Sequence, residues 1–222
     1  MGMDLAKYDY LLFDCDGVIL DSNDIKADAF YKVALTYGEA CANELLAYHR
    51  INGGVSRIPK FEYFLSKIVP RYHQEIDGSI DALLERFSSF VREGLVRCAA
   101  SEALPALKEQ CKPGAQWAVV SGGDQDELRR VLFKRGLDSY FEKGIYGSPD
   151  DKDTILKEKL KLPPSASVLF LGDSRYDFQV ASRSEFDFVF LHGWTGMPDW
   201  ECFCKENNIL YFETLSDLVV GI

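Results

Sequence analysis

Four apolar runs along the chain end abruptly in small or acidic residues. Tyr10-Leu11-Leu12-Phe13 stops at Asp14, and Trp117-Ala118-Val119-Val120 stops at Ser121. Val168-Leu169-Phe170-Leu171 stops at Gly172-Asp173, and Phe188-Val189-Phe190-Leu191 stops at His192-Gly193. Continuous runs of this length predict strands buried on both faces, as in a parallel sheet covered by helices. Ile145-Tyr146, between Gly144 and Gly147, predicts a shorter one. Between the runs the spacing turns helical. Leu128, Val131 and Leu132 follow Ser121-Gly122-Gly123-Asp124, and Gly136 supplies a stop. Ile155, Leu156 and Leu160 mark a second helix, Phe178, Val180 and Ala181 a third, and Ala103 to Cys111 a fourth. Strand–helix alternation with short loops predicts an α/β, doubly wound parallel sheet. In such sheets ligands sit beyond the carboxyl ends of the strands, where all of these polar stops fall.

The stretch from about 19 to 95 lacks that rhythm. Its apolar residues recur at helical spacing: Ile25, Ala29, Phe30 and Val33; then Phe61, Phe64, Leu65 and Ile68; then Ile80, Leu83, Leu84 and Phe87. Asn52-Gly53-Gly54 interrupts it. The expectation is a small helical domain, 19–95, inserted after the first strand of a core made of 1–18 and 96–222. An insertion at that loop lies over the strand ends, where it can act as a lid.

Composition narrows the classes. With 47% apolar and 27% charged residues, the 222-residue chain can bury a sizeable core. No run approaches the roughly 20 apolar residues that span a bilayer. Met1 to Tyr10 carries Asp4 and Asp9 and has no basic end followed by an apolar stretch, so no secretory signal is expected. A net charge of −10 argues against broad binding to nucleic acid or anionic membranes, though a bound cation and one lysine can reverse the local field for a phosphorylated ligand. The six cysteines, 15, 41, 98, 111, 202 and 204, fit no zinc framework and read as reduced thiols of a cytoplasmic protein.

Chemistry concentrates at the strand ends. Asp14-Cys15-Asp16-Gly17-Val18 sets two carboxylates two residues apart, a repulsion that a divalent cation offsets. One carboxylate can then attack phosphorus while the other handles protons. The competing reading is a turn in which one of them caps the next helix. Gly172-Asp173-Ser174-Arg175-Tyr176-Asp177 offers hard oxygen ligands of the kind Mg²⁺ prefers, or again a helix cap. Ser121-Gly122-Gly123 presents a hydroxyl and approachable backbone N–H groups that can hold phosphate oxygens. Lys152 precedes a helical segment and is either a phosphate-neutralising ammonium or a solvated surface lysine. Each signal alone is ambiguous; four in this order, each at a strand end, are not. In the inserted stretch, Arg50 and Arg57 flank a glycine turn, with Lys60 beyond; they read as contacts to an anionic or polyhydroxylated substrate, or as a solvated helix face.

Over nearly its whole length the chain resembles the haloacid dehalogenase-like hydrolases, in the phosphatase branch with a helical cap after the first motif, the group of phosphoglycolate phosphatase and β-phosphoglucomutase. DCDGV followed by ILDS is similar to the first motif, VVSGG to the second, GSPDDK to the third and LFLGDSRYD to the fourth. The resemblance implies a Rossmann-like core, Asp14 as nucleophile, and Asp16 as a general acid/base kept protonated for the first step. It implies Ser121, Gly122 and Lys152 around the transferred phosphoryl group. It also implies Mg²⁺ held by Asp14, the Asp16 backbone carbonyl and Asp173, with Asp177 in support. The expected activity is hydrolysis of a small phosphate monoester, with a sugar or polyol phosphate as the candidate substrate. A phosphomutase using the same aspartates, or a binding protein that keeps the fold without turnover, are the competing functions. His49, His73 and His192 are expected to be packing or surface residues, and Trp194 and Trp200 to anchor the loop after the fourth run.

Overall fold

A computed structural model of the chain describes residues 3–73 and 78–220. The first two residues of the opening stretch, Met1 and Gly2, lie outside it. Strands β1 (Tyr10–Phe13), β2 (Gln116–Asp124), β3 (Gly144–Ser148), β4 (Val168–Gly172), β5 (Asp187–Leu191) and β6 (Leu210–Phe212) form one sheet in the order β3-β2-β1-β4-β5-β6. Every pairing is parallel. The apolar runs become strands because both faces are covered. Leu11, Phe13, Trp117, Val119, Leu169 and Leu171 point into one core cluster. Leu12, Ala118, Val120 and Phe170, one residue out of phase, point into another with Ile155, Leu160 and Val180. This is the period-two alternation of a strand, with apolar packing on either side.

β2 runs past the expected stop at Ser121 to Asp124, with an irregular register against β3 between Val120 and Asp124. β6 has no counterpart in the apolar pattern. It is three residues long at the sheet edge, and Leu210 and Tyr211 are exposed.

Between β1 and β2 the chain forms α1 (Asn23–Ala34), α2 (Glu39–Ile51), α3 (Arg57–Tyr63, extended by a wider turn through Phe64–Ile68), α4 (Ile80–Arg97) and α5 (Leu104–Gln110). α1 packs on α2 and α4, and α3 packs on α4. The chain enters α1 and leaves α4 through two segments that lie side by side, joined by a bridge between Leu20 and Ala100. Asp21 N donates to Ala99 O at 3.0 Å and Ser101 N to Ile19 O at 2.9 Å. The remaining helices are α6 (Gln125–Lys134), α7 (Lys152–Thr154, extended through Ile155–Leu160), α8 (Arg175–Arg183), α9 (Trp200–Glu206) and α10 (Leu215–Val220). None among the described residues is long and apolar enough to cross a membrane.

The inserted helices reach back onto the strand ends through the Gly53-Gly54 turn. A side chain at Gly122 would come within 2.3 Å of the Gly54 carbonyl oxygen, and one at Gly54 within 2.4 Å of Ser174 Oγ. Gly54 also has φ +76°, a backbone conformation that favours glycine.

Candidate active site

The parallel sheet delivers β1, β2 and β4 side by side, so their carboxyl-terminal loops converge. Asp14 leaves β1 almost fully buried, and its Oδ1 accepts from the Cys15 backbone N–H at 2.7 Å. The chain then turns at Gly17, where φ is +75° and a Cβ would lie 2.2 Å from Asp173 Oδ2. Only glycine lets the two loops approach this closely.

From β4, Asp173 accepts from Asn23 Nδ2 at 2.7 Å, and its backbone carbonyl accepts from Thr195 Oγ1 at 2.6 Å. Asn23 Nδ2 also donates to the Trp194 carbonyl at 2.7 Å, which ties α1 to the loop after β5. Trp200, in turn, stacks on His192 with ring centroids 4.0 Å apart.

Asp177 sits in the first turn of α8. Its Oδ2 accepts from the Ser174 backbone N–H at 3.2 Å and the Ser174 hydroxyl at 2.5 Å, as part of a capping box. Its Oδ1 accepts from Lys152. Lys152 is fully buried, and its Nζ is 3.1 Å from Asp14 Oδ2. The lysine expected either at the phosphate or in solvent is thus joined to two of the candidate carboxylates. Ser121 is also fully buried at the end of β2, its Oγ accepting from Gly123 N at 3.1 Å.

Asp14, Asp173 and Asp177 each place a carboxylate oxygen within 4.8 Å of the others. One ammonium does not balance three carboxylates. Burial foremost, with the nearby charges of Asp177 and Asp16, pushes Asp14 up to about 7 against the pull of Lys152. Burial, then repulsion from Asp14 and Asp177, holds Asp173 well above the usual carboxylate range. Lys152 shows the complement: burial lowers it, but Asp14 and Asp177 outweigh that and leave it above an ordinary lysine. A hard divalent cation among these oxygens would remove the remaining repulsion, so the donor set fits Mg²⁺.

Asp16 lies apart from that cluster. Its carboxylate forms an ion pair with Lys26 of α1 and accepts from Ser22 Oγ at 2.5 Å. Burial alone would raise its pKa, but the charge and hydrogen bond of Lys26, with that of Ser22, outweigh it and lower it. With Lys26 and Ser22 as its partners, the carboxylate form of Asp16 is the favoured one in this arrangement. Lys26 stands in the first turn of α1, ten residues after Asp16, with Ser22 at the N-cap of that helix; no motif marks Lys26 in the sequence.

A cavity of about 710 Å³ opens above these residues. Asp14, Asp16, Gly122 and Asp173 border it. Arg50, Arg57 and Lys60, the three basic residues singled out in the inserted stretch, border it as well. They differ in their bonding. Arg57 reaches across to the core, 3.3 Å from both Asp124 and Glu127. Lys60 is buried against His49. Ser121 and Asp177 are fully buried beside the cavity, as is Lys152, which borders a smaller one with Gly122 and Gly54.

A family model described as haloacid dehalogenase-like hydrolase matches residues 8–184. A protein of Caldanaerobacter subterraneus named as a pyrophosphatase, PpaX, is 26% identical over 96% of this chain and 94% of its own. Among solved structures, one from Haemophilus somnus described as a phosphoglycolate phosphatase superposes with a TM-score of 0.69 at 19% identity, covering 96% of this chain and 97% of its own. The phosphate complex of CbbY from Rhodobacter sphaeroides superposes with a TM-score of 0.64 at 15% identity, covering 95% and 96%.

Proposed function

The chain belongs to the haloacid dehalogenase-like hydrolase family, and from that premise we propose that it is a Mg²⁺-dependent phosphohydrolase that cleaves a small phosphate monoester through an aspartyl-phosphate on Asp14. One observation carries the reading: a buried carboxylate at a strand end, 3.1 Å from a buried lysine and clustered with two further carboxylates. The phosphatase names of the relatives, and the phosphate held by one of the solved structures, agree with it.

In the proposed reaction Asp14 attacks phosphorus in line as the bond to the leaving oxygen breaks. Lys152, Ser121 and the Gly122 backbone hold the non-bridging oxygens, which is mainly positioning plus electrostatic stabilisation. Mg²⁺, with Asp14, the Asp16 carbonyl and Asp173 as ligands and Asp177 in support, would supply charge neutralisation between nucleophile and phosphate. When substrate displaces it from Lys26, Asp16 takes up a proton from solvent and gives that proton to the departing alkoxide, returning to the carboxylate. It then takes a proton from the water that attacks the aspartyl-phosphate, and Asp14 returns to the carboxylate. The helices of 19–95 act as a cap on the core of 1–18 and 96–222; the seat of Gly54 on Gly122 and Ser174 supports this, since it covers the strand ends. Arg50, Arg57 and Lys60 border the cavity from that side and are proposed to face the leaving group.

Phosphate release from a panel of phosphorylated metabolites, with Mg²⁺, with EDTA and with Asp14→Asn, tests the reading. Release that needs both the metal and Asp14 is expected. Turnover that survives Asp14→Asn removes Asp14 as nucleophile.

A further inference from the structure

The three clustered carboxylates are not held alike. Asp14 Oδ2 and Asp177 Oδ1 share the Lys152 ammonium, and their other oxygens accept from the Cys15 backbone N–H and from Ser174. Asp173 is as buried as its neighbours, but it forms no ion pair among the described residues. Its carboxylate has a single hydrogen bond there, from Asn23 Nδ2 to Oδ2 at 2.7 Å. Its Oδ1 has no hydrogen-bond partner among those residues. Two carboxylates of the cluster are thus fixed by a shared cation and the third by one neutral amide.

That amide is itself held. Asn23 is the first residue of α1, so it belongs to the inserted helices and not to the sheet. An amide nitrogen has two N–H groups, and the second donates to the Trp194 carbonyl at 2.7 Å. Both partners are acceptors, which sets the nitrogen, not the oxygen, towards them. The loop that carries Trp194 also pins the Asp173 backbone, through Thr195 Oγ1. Space is kept for the contact as well: a Cβ at Gly17 would lie 2.5 Å from Asn23 Nδ2 and 2.2 Å from Asp173 Oδ2. The choice of an amide has a consequence. A lysine in its place would neutralise Asp173 and compete with a divalent cation for it. Asparagine fixes one carboxylate oxygen without adding charge and leaves the other open.

We infer that Asn23 is a positioning residue for the cation site: its amide holds the Asp173 carboxylate in the cluster, so that the core's affinity for Mg²⁺ depends on a residue of the inserted helices. The inference rests on the metal-dependent reading of Asp14, Asp173 and Asp177, and it adds the group that orders one of the ligands. Hydrogen-bond partners of metal-binding carboxylates typically govern metal affinity or activity by about 10–100-fold. Asp14 and Asp177 have Lys152 for this purpose; Asp173 has Asn23.

The test is a titration of Mg²⁺ into substrate-free protein, unmodified and Asn23→Leu, followed by calorimetry. Leucine is close to asparagine in size but brings no N–H. The Mg²⁺ dissociation constant should rise about tenfold or more. The rise in unfolding midpoint that Mg²⁺ produces should shrink accordingly, which checks the constant by a second route. The Mg²⁺ concentration that half-saturates phosphate release should increase by a similar factor, and most of the rate lost at low Mg²⁺ should return when Mg²⁺ is saturating. Asn23→Ala serves if Asn23→Leu does not fold. The metal-free unfolding midpoint separates a merely structural role. A lower metal-free midpoint with an unchanged dissociation constant makes Asn23 a packing residue and overturns the inference, as does an unchanged constant in a variant of full stability. If the unmodified protein shows neither heat nor a rise in midpoint with Mg²⁺, the cation site falls and the inference with it. Mg²⁺ binding that weakens in Asn23→Leu, without phosphate release from any ester by the unmodified protein, keeps the inference and removes the hydrolase reading.

Discussion

The sheet end beside the cavity (the floor) and the inserted helices that border it (the roof) each contain a buried lysine, and burial acts on the two with opposite outcomes. Lys152, at the sheet end, is fully buried, and Lys60, among the inserted helices, is 2% exposed. Desolvation opposes the ammonium in both. Beside Lys152, Asp14 and Asp177 outweigh that penalty and raise its pKa. Beside Lys60 stands a neutral imidazole; burial, with repulsion from Lys26 and Lys152, outweighs the more distant pull of Asp16 and Asp14, and its pKa falls to about 7. What separates the two is the partner, not the degree of burial. The floor carries surplus negative charge, and its chemistry starts when a cation and a phosphoryl group arrive. The roof offers its lysine a neutral hydrogen-bond partner instead of a carboxylate.

Breaking the floor should have the larger effect. Lys152→Met leaves Asp14 and Asp177 facing each other without their shared cation. Removing one partner from such a buried group costs about 3–5 kcal/mol, and a shift of that size is expected in denaturant unfolding followed by circular dichroism. Phosphate release should fall in parallel by a factor of roughly 1000, the range seen when a group stabilising transition-state charge is lost. An unchanged unfolding midpoint would mean that the Asp14–Lys152–Asp177 contact does not hold the floor together.

Breaking the roof should have a smaller effect, with a pH signature. Lys60 titrates near 7 in the fold against 10.5 for an ordinary lysine. Between those values the unfolded chain binds the extra proton, so this residue's contribution to stability declines as pH falls from about 10.5 to about 7 and levels off below. Lys60→Met lacks the proton-binding group. Its melting temperature relative to the unmodified protein should therefore rise as pH is lowered from 10 to 7, and stop rising below. A difference independent of pH would show that Lys60 is not held out of water as described.

The same division explains what could be read from the chain. Asp14, Ser121 and Asp173 each follow a buried apolar run, and a parallel sheet brings the ends of such runs together; β1 beside β2 and β4 is enough. The roof has no such rule. His49 and Lys60 lie on different helices, and their contact depends on how α2 and α3 pack, which helical spacing does not encode. α2 itself was not among the helices expected. Its inward residues are Cys41, Ala42 and Leu45, two of them small, so its stripe is weak. β6 was missed for a related reason, being short and exposed at the sheet edge. Arg57 drew attention for its charge beside a glycine turn, but a sequence does not show that Asp124 and Glu127 already engage it. Asp16 illustrates the same limit: spacing sets it beside Asp14, whereas Lys26, brought in by α1, sets its charge.

The central claim is a covalent one, and the most direct measurement looks for that bond. The unmodified enzyme with Mg²⁺ is mixed with the panel ester it turns over fastest and quenched in acid within milliseconds. It is then treated with borohydride, which reduces an acyl phosphate to an alcohol, and its peptides are read by mass spectrometry. The account predicts homoserine at position 14, absent when substrate is omitted. Reduction at another carboxylate, or continuing phosphate release with position 14 always recovered as aspartate, would contradict it.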